Sequence, residues 1–161
     1  MNNMPKNRML KLKTRPVGAV TSDHFELVEE QMSELQEGQI LVKVLYLSFD
    51  PTQRGWLNDV KSYVPPVQIG EVMRASSVGQ VIDSKDANFV SGDLVQGTFG
   101  WQEYAAVNSS TGIMPIQKVP EGIPPTSALS IYGITGLTAF FGMVEIGQPL
   151  EGDTVLVSGA A

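Results

Sequence analysis

The chain has 161 residues, 42% apolar and 17% charged, a balance that supports a globular core and excludes a wholly disordered polymer. With 11 Lys and Arg against 17 Asp and Glu, the net charge is −6, a sign that repels phosphate backbones and anionic lipid and argues against nucleic acid or membrane partners. The absence of cysteine and the single histidine, His24, exclude disulfides, thiolate catalysis, cysteine-ligated metal centres and multi-histidine metal sites.

Up to Pro16 the chain is polar and basic with no apolar centre, so it does not read as a secretory signal. Residues 9–13 alternate apolar and basic side chains as a half-buried strand does, and residues 25–29 read as a second strand. Residues 40–47, rich in branched side chains and preceded by the turn pair Glu37-Gly38, carry the strongest strand signal. The apolar run continuing to Phe49 is broken by Lys43 and is too short to span a bilayer. Residues 77–82, 94–98, 103–107 and 116–119 are further short strands. Their close spacing, with turn residues between them, predicts a barrel or sandwich.

After Pro124-Pro125 the composition changes. Residues 126–144 are small and apolar and predict one or two buried helical segments, divided near Tyr132-Gly133 or Gly136, with Thr126 as the first cap. The turn Gly152-Asp153 then leads into residues 154–158, a run suited to a parallel strand buried on both faces. A lone strand of that kind cannot satisfy its backbone, so continuation past Ala161 into a second domain is expected. The expected division is a barrel domain over residues 1–124, with connecting helices and the start of the second domain over 125–161.

Four stretches in order carry a family resemblance: Leu47-Ser48-Phe49-Asp50-Pro51-Thr52-Gln53-Arg54-Gly55-Trp56; Ser62-Tyr63-Val64-Pro65-Pro66 with Ile69-Gly70-Glu71-Val72-Met73-Arg74; Gly92-Asp93-Leu94-Val95-Gln96-Gly97 with Trp101-Gln102-Glu103-Tyr104; and Gly133-Ile134-Thr135-Gly136-Leu137-Thr138-Ala139-Phe140-Phe141-Gly142, followed by residues 152–161. Together they resemble the zinc-independent branch of the medium-chain dehydrogenases/reductases, which includes leukotriene B4 dehydrogenase/prostaglandin reductases and alkenal double-bond reductases. The resemblance implies a mainly β fold: a GroES-like β-barrel with C-terminal helices, feeding the first strand of a Rossmann α/β domain. It also implies NADP(H) in the cleft between the two domains, no metal, and reduction of the C=C bond of small enals or enones in the cytoplasm. Members of the family form homodimers through the Rossmann domain. Taken alone, the chain is expected to bind NADPH weakly and to turn over negligibly.

By the same resemblance Tyr63 is the catalytic candidate, donating a hydrogen bond to the developing enolate oxygen. Pro51, Thr52 and Tyr63 are the substrate-side residues, although many relatives carry tyrosine where Thr52 stands. Ile134 and Thr138 match positions lining the nicotinamide, and Gly159, Ala160 and Ala161 look like the opening of a phosphate-binding fingerprint. Each has a plainer reading. Tyr63 can be a loop aromatic packed beside prolines, and Thr138 can bond back to its own helix. Arg54 is expected to pair with Asp50, Glu71 to be a buried structural carboxylate, and His24 to lack a hydroxyl or acidic neighbour. Trp56 and Trp101 can border an apolar cleft or simply pack the barrel. The rival functions are a non-catalytic barrel that binds a partner, and a quinone reductase.

Overall fold

The computed structural model describes residues 4–110, 112 and 114–159. Among the described residues seven strands form: β1 (Lys6–Leu12), β2 (Phe25–Gln31), β3 (Gln39–Leu47), β4 (Ser77–Ser84), β5 (Leu94–Gly97), β6 (Tyr104–Asn108) and β7 (Gln117–Lys118). Each overlaps a stretch where alternation or branched residues predict a strand. β3 is an interior strand, paired with β6 on one edge and β4 on the other, in a five-stranded antiparallel sheet ordered β6-β3-β4-β5-β7. Ile40 and Val42 from β3, Val81 from β4, Val95 from β5 and Ala105 from β6 meet Phe89 and Phe99 in one buried cluster.

β1 and β2 form a separate antiparallel hairpin, and the free edge of β1 joins it to the larger sheet. Glu103 N–H donates to Arg8 O at 3.0 Å, Leu10 N–H to Trp101 O at 2.9 Å, Met73 N–H to Leu10 O at 2.9 Å and Leu12 N–H to Glu71 O at 2.9 Å. The buried Asn7 extends this seam: its Oδ1 accepts from Tyr104 N–H and its Nδ2 donates to Gln102 Oε1, each at 2.9 Å. A buried amide with both ends satisfied holds register as well as stability. Beneath the seam, Leu12, Leu57, Val67 and Met73 form a second buried cluster. The result is a GroES-like, mainly β domain.

The helices are short: α1 (Thr52–Trp56), α2 (Pro125–Ala128) and α3 (Ile134–Phe140), the last continuing into a π-helical segment, Phe141–Gly147. The division between α2 and α3 falls where Tyr132-Gly133 predicts it. Gly136 allows the tight turn, since a Cβ there would stand 1.9 Å from Ile131 O. Three expectations need correction. Thr126 is not the cap: Pro124 occupies the N-cap and Pro125 the first turn, where a missing N–H is harmless. The apolar residues of this region are mostly not buried: Ala128 is, but Ile131, Leu137, Phe140 and Phe141 are all exposed. Residues 154–158 form no strand, and Leu156 is 90% exposed. A parallel strand requires neighbours for its backbone and both faces, and none of the seven strands pairs with it. No helix among the described residues is long and apolar enough to cross a membrane.

The β3–β4 pairing shifts register between Val44 and Tyr46, and Gly79 lies against that irregularity. A Cβ at Gly79 would stand 2.3 Å from Val42 Cγ1 and 2.6 Å from Lys43 O. Because the second obstacle is backbone, Gly79→Ala is expected to destabilise the fold by about 2–3 kcal/mol, read as a lowered urea midpoint at unchanged slope.

Three carboxyl groups that fasten the strands have lowered pKa values. Asp86 is held down chiefly by the Ser109 hydroxyl, Asp93 by Lys118 and Glu103 by Arg8. Groups lowered on folding contribute stability that is present above the unfolded carboxylate range and lost as pH falls through the folded values. Thermal midpoints should therefore drop as pH is taken below about 4. Asp93→Asn, which removes the partner of Lys118 on β7, should flatten that dependence.

Candidate active-site cleft

α1 begins because Asp50 and Pro51 start it. Asp50 Oδ1 accepts from Thr52 N–H at 2.9 Å, and Pro51 supplies a helical φ of −53°. Gln53 is buried and donates to Ser48 O at 2.9 Å, while Leu57 drops into the second cluster. Thr52 and Trp56 are thereby held on a short rigid support. Arg54 departs from expectation: it bonds to Asn58 Oδ1 at 2.7 Å and Gly18 O at 3.0 Å instead of pairing with Asp50. Both are neighbours its long side chain reaches along and across the helix.

Tyr63 comes from the loop after α1 and returns to it. Its phenol oxygen lies 2.5 Å from Thr52 Oγ1 although the residue is 78% exposed. The pair borders a cavity of about 360 Å³ whose wall also includes Trp56, Arg74, Ile134 and Thr135. The arrangement can seat a flat organic molecule against aromatic and aliphatic walls, beside the Thr52 and Tyr63 hydroxyls. Burial pulls the Arg74 guanidinium below its ordinary pKa, with Glu71 opposing; the group nonetheless stays cationic.

Among the residues singled out from sequence, Thr52, Tyr63 and Ile134 are brought together here. Pro51 instead lines a neighbouring apolar groove of about 290 Å³, with Phe25, Phe49 and Trp101. Thr138 is not on the cavity wall; its hydroxyl donates to Ile134 O at 2.7 Å, within its own helix. Gly159 is an exposed turn residue, and Ala160 and Ala161 lie outside the described residues. Trp101 packs between Phe25 and Phe49 at ring distances of 5.2 and 5.6 Å.

Two further expectations are revised. Glu71 is exposed, not buried, and its Oε2 accepts from Gln68 N–H at 2.8 Å in a local turn. His24 does have a hydroxyl partner: Thr21 Oγ1 lies 3.0 Å from its Nδ1, which also accepts from Thr21 N–H at 3.0 Å. Arg74 and Thr135 were not singled out in advance. The available signal for Arg74 was a lone cation in the small and apolar stretch of residues 72–79. Among the described residues no group of three or more His, Asp or Glu could hold a metal ion.

A protein family described as the N-terminal domain of oxidoreductase matches residues 8–116. The chain belongs to this oxidoreductase family. It is 39% identical over 155 residues to the NADPH-dependent curcumin reductase of Escherichia coli (strain K12), covering 96% of this chain and 44% of that protein. It is 33% identical over 150 residues to prostaglandin reductase 1 of Bos taurus, covering 93% and 44%. The structure of CurA in complex with NADPH from Vibrio vulnificus superposes with a TM-score of 0.80 at 39% identity, covering 91% of this chain and 42% of that one. The chain therefore spans less than half the length of the relatives it matches. These matches agree with the resemblance to the zinc-independent medium-chain reductases carried by the four motifs.

If the Thr52–Tyr63 contact serves a ligand and not the fold, its removal should hardly affect stability. Thr52→Val and Tyr63→Phe are each expected to lower unfolding free energy by less than about 1 kcal/mol, because an exposed hydrogen bond is readily replaced by water. Urea denaturation of the two variants checks this.

Proposed function

We propose that this chain is the substrate-side half of an NADP(H)-dependent, zinc-independent reductase of the C=C bond in α,β-unsaturated aldehydes and ketones. The observation that carries the reading is the Thr52–Tyr63 hydroxyl pair on one side of a cavity whose wall also holds Ile134. The similarity to NADPH-dependent curcumin reductase and to prostaglandin reductase 1 supports it. On this reading residues 1–124 form the barrel half, and residues 125–161 lead into the nucleotide-binding half.

The residues present suit the nicotinamide end of NADP(H): an aliphatic side chain at Ile134, an aromatic face at Trp56 and the nearby hydroxyl of Thr135. Bound NADPH supplies the hydride that the β-carbon of the acceptor receives. Ile134, on the cavity wall, would help hold the nicotinamide, and Thr138 would have to give up its bond to Ile134 O to reach it. Gly159, Ala160 and Ala161 would begin the pyrophosphate contact. The Tyr63 phenol donates to the acceptor's carbonyl oxygen, where negative charge grows, and Thr52 Oγ1 steadies the phenol from behind. Pro51, at the start of α1, holds Thr52 in place and faces the adjoining apolar groove, which takes the acceptor's hydrocarbon part. The α-carbon is then protonated from solvent. With no cysteine and one histidine, this chain offers no ligand set for a zinc ion to share the charge. The acceptor is a small molecule, and the whole protein works as a homodimer in the cytoplasm.

The test uses the complete protein that carries this chain, with NADPH and two acceptor series, 2-alkenals and 1,4-quinones. Turnover of alkenals and a loss of kcat of about 100-fold in Tyr63→Phe are expected, the range of a general-acid or oxyanion contact. A preference for quinones, or no effect of Tyr63→Phe, would overturn the reading.

A further inference from the structure

Tyr63 lies in an exposed loop, and its own bond to Thr52 is a weak tether. The chain on either side of the loop is fixed: Val67 N–H donates to Trp56 O at 2.9 Å, and Arg15 Nη1 donates to Leu57 O at 2.9 Å and Val67 O at 3.1 Å. Between these anchors residues 58–63 are all exposed. Two arginines reach into the loop from the barrel: Arg15 Nη2 lies 3.6 Å from Asp59 Oδ1, before Tyr63, and Arg74 reaches the segment after it. Its guanidinium carbon lies 5.2 Å from the centre of the Trp56 ring, at the end of α1, and its Nη1 donates to Pro65 O at 2.9 Å, two residues past Tyr63.

This arginine spans the two elements that bring Thr52 and Tyr63 together. Its planar fork can stack on an indole and donate in its own plane at once, which a lysine ammonium cannot do. Its hydrogen bond goes to a backbone carbonyl and not to a carboxylate, and burial disfavours its charged form. An arginine placed only for charge pairing would show the opposite pattern.

We propose that Arg74 is a positioning residue: stacked on Trp56 and bonded to Pro65 O, it draws residues 62–66 onto α1 and sets where the Tyr63 phenol meets Thr52. The inference rests on the proposed role of Tyr63. One exposed hydrogen bond and one cation–π contact are together enough to shift the population of the closed loop about tenfold.

The experiment has two arms. In the complete protein, Arg74→Met is expected to lower kcat about tenfold with KM within about twofold. Arg74→Gln, which keeps an N–H donor for Pro65 O, should recover most of that loss. The double variant R74M/Y63F should be no slower than Tyr63→Phe alone, because residues acting through one another are non-additive. Multiplicative losses would overturn the proposal, since Arg74 would then act on the acceptor or the fold by itself.

The second arm reads the loop without activity. Tryptic cleavage after the exposed Lys61 should run about tenfold faster in folded Arg74→Met than in the unaltered chain; equal cleavage would overturn the clamp. An unchanged rate in Tyr63→Phe would overturn the reading of Tyr63 and leave the Lys61 cleavage rate to decide the clamp by itself.

Discussion

An edge strand carries a row of N–H and C=O groups that must find partners, and β1 satisfies its free edge against chain segments that are not regular strands. Its bonds to Glu71, Met73, Trp101 and Glu103 join the hairpin to the rest of the domain, with Leu12 and Met73 buried beneath the seam. The position of Arg74 follows, because it is the next residue after the bonded Met73. The position of Trp101 follows too, and with it the packing of Phe25 and Phe49 beside the cleft. Backbone satisfaction at one seam thus places the side chains on which the candidate site is built.

The site combines parts of very different rigidity. α1 is pinned by Gln53, Leu57 and the Asp50 carboxylate, so Thr52 and Trp56 are well supported. Tyr63 belongs to an exposed loop and depends on contacts with α1 and Arg74. A donor that must meet a developing charge benefits from such support, since misplacement by about 1 Å weakens electrostatic stabilisation sharply. The aliphatic side of the cavity comes from α3, a segment remote in sequence from α1.

The apolar character of residues 131–157 makes sense only alongside the coverage of the relatives. Ile131, Leu137, Phe140, Phe141 and Leu156 are exposed, a concentration that solvent-facing surfaces rarely carry without a partner surface. The chain spans 44% of the curcumin and prostaglandin reductases it matches.

Much was legible locally. Alternation, branched residues and the spacing of turn residues marked the strands seen among the described residues, and Tyr132-Gly133 marked the break between α2 and α3. The absence of cysteine removed whole classes of chemistry, and the motif around residues 47–56 pointed to Thr52. These signals are short-range, set by side-chain period and backbone sterics. The contacts that decide the site are not. Asn7 meets residues almost a hundred positions away, Arg74 meets both Trp56 at the end of α1 and Pro65 in the loop beyond it, and Gly79 is required by a register shift that only strand pairing creates. Residues 154–158 show the same limit from the other side: their pattern suits a buried strand, yet without neighbours to pair with no strand forms. Sequence alone determined which segments are able to become strands and turns. Tertiary structure decided which of them did, and which side chains face one cavity, because those outcomes depend on partners that sequence separation does not reveal.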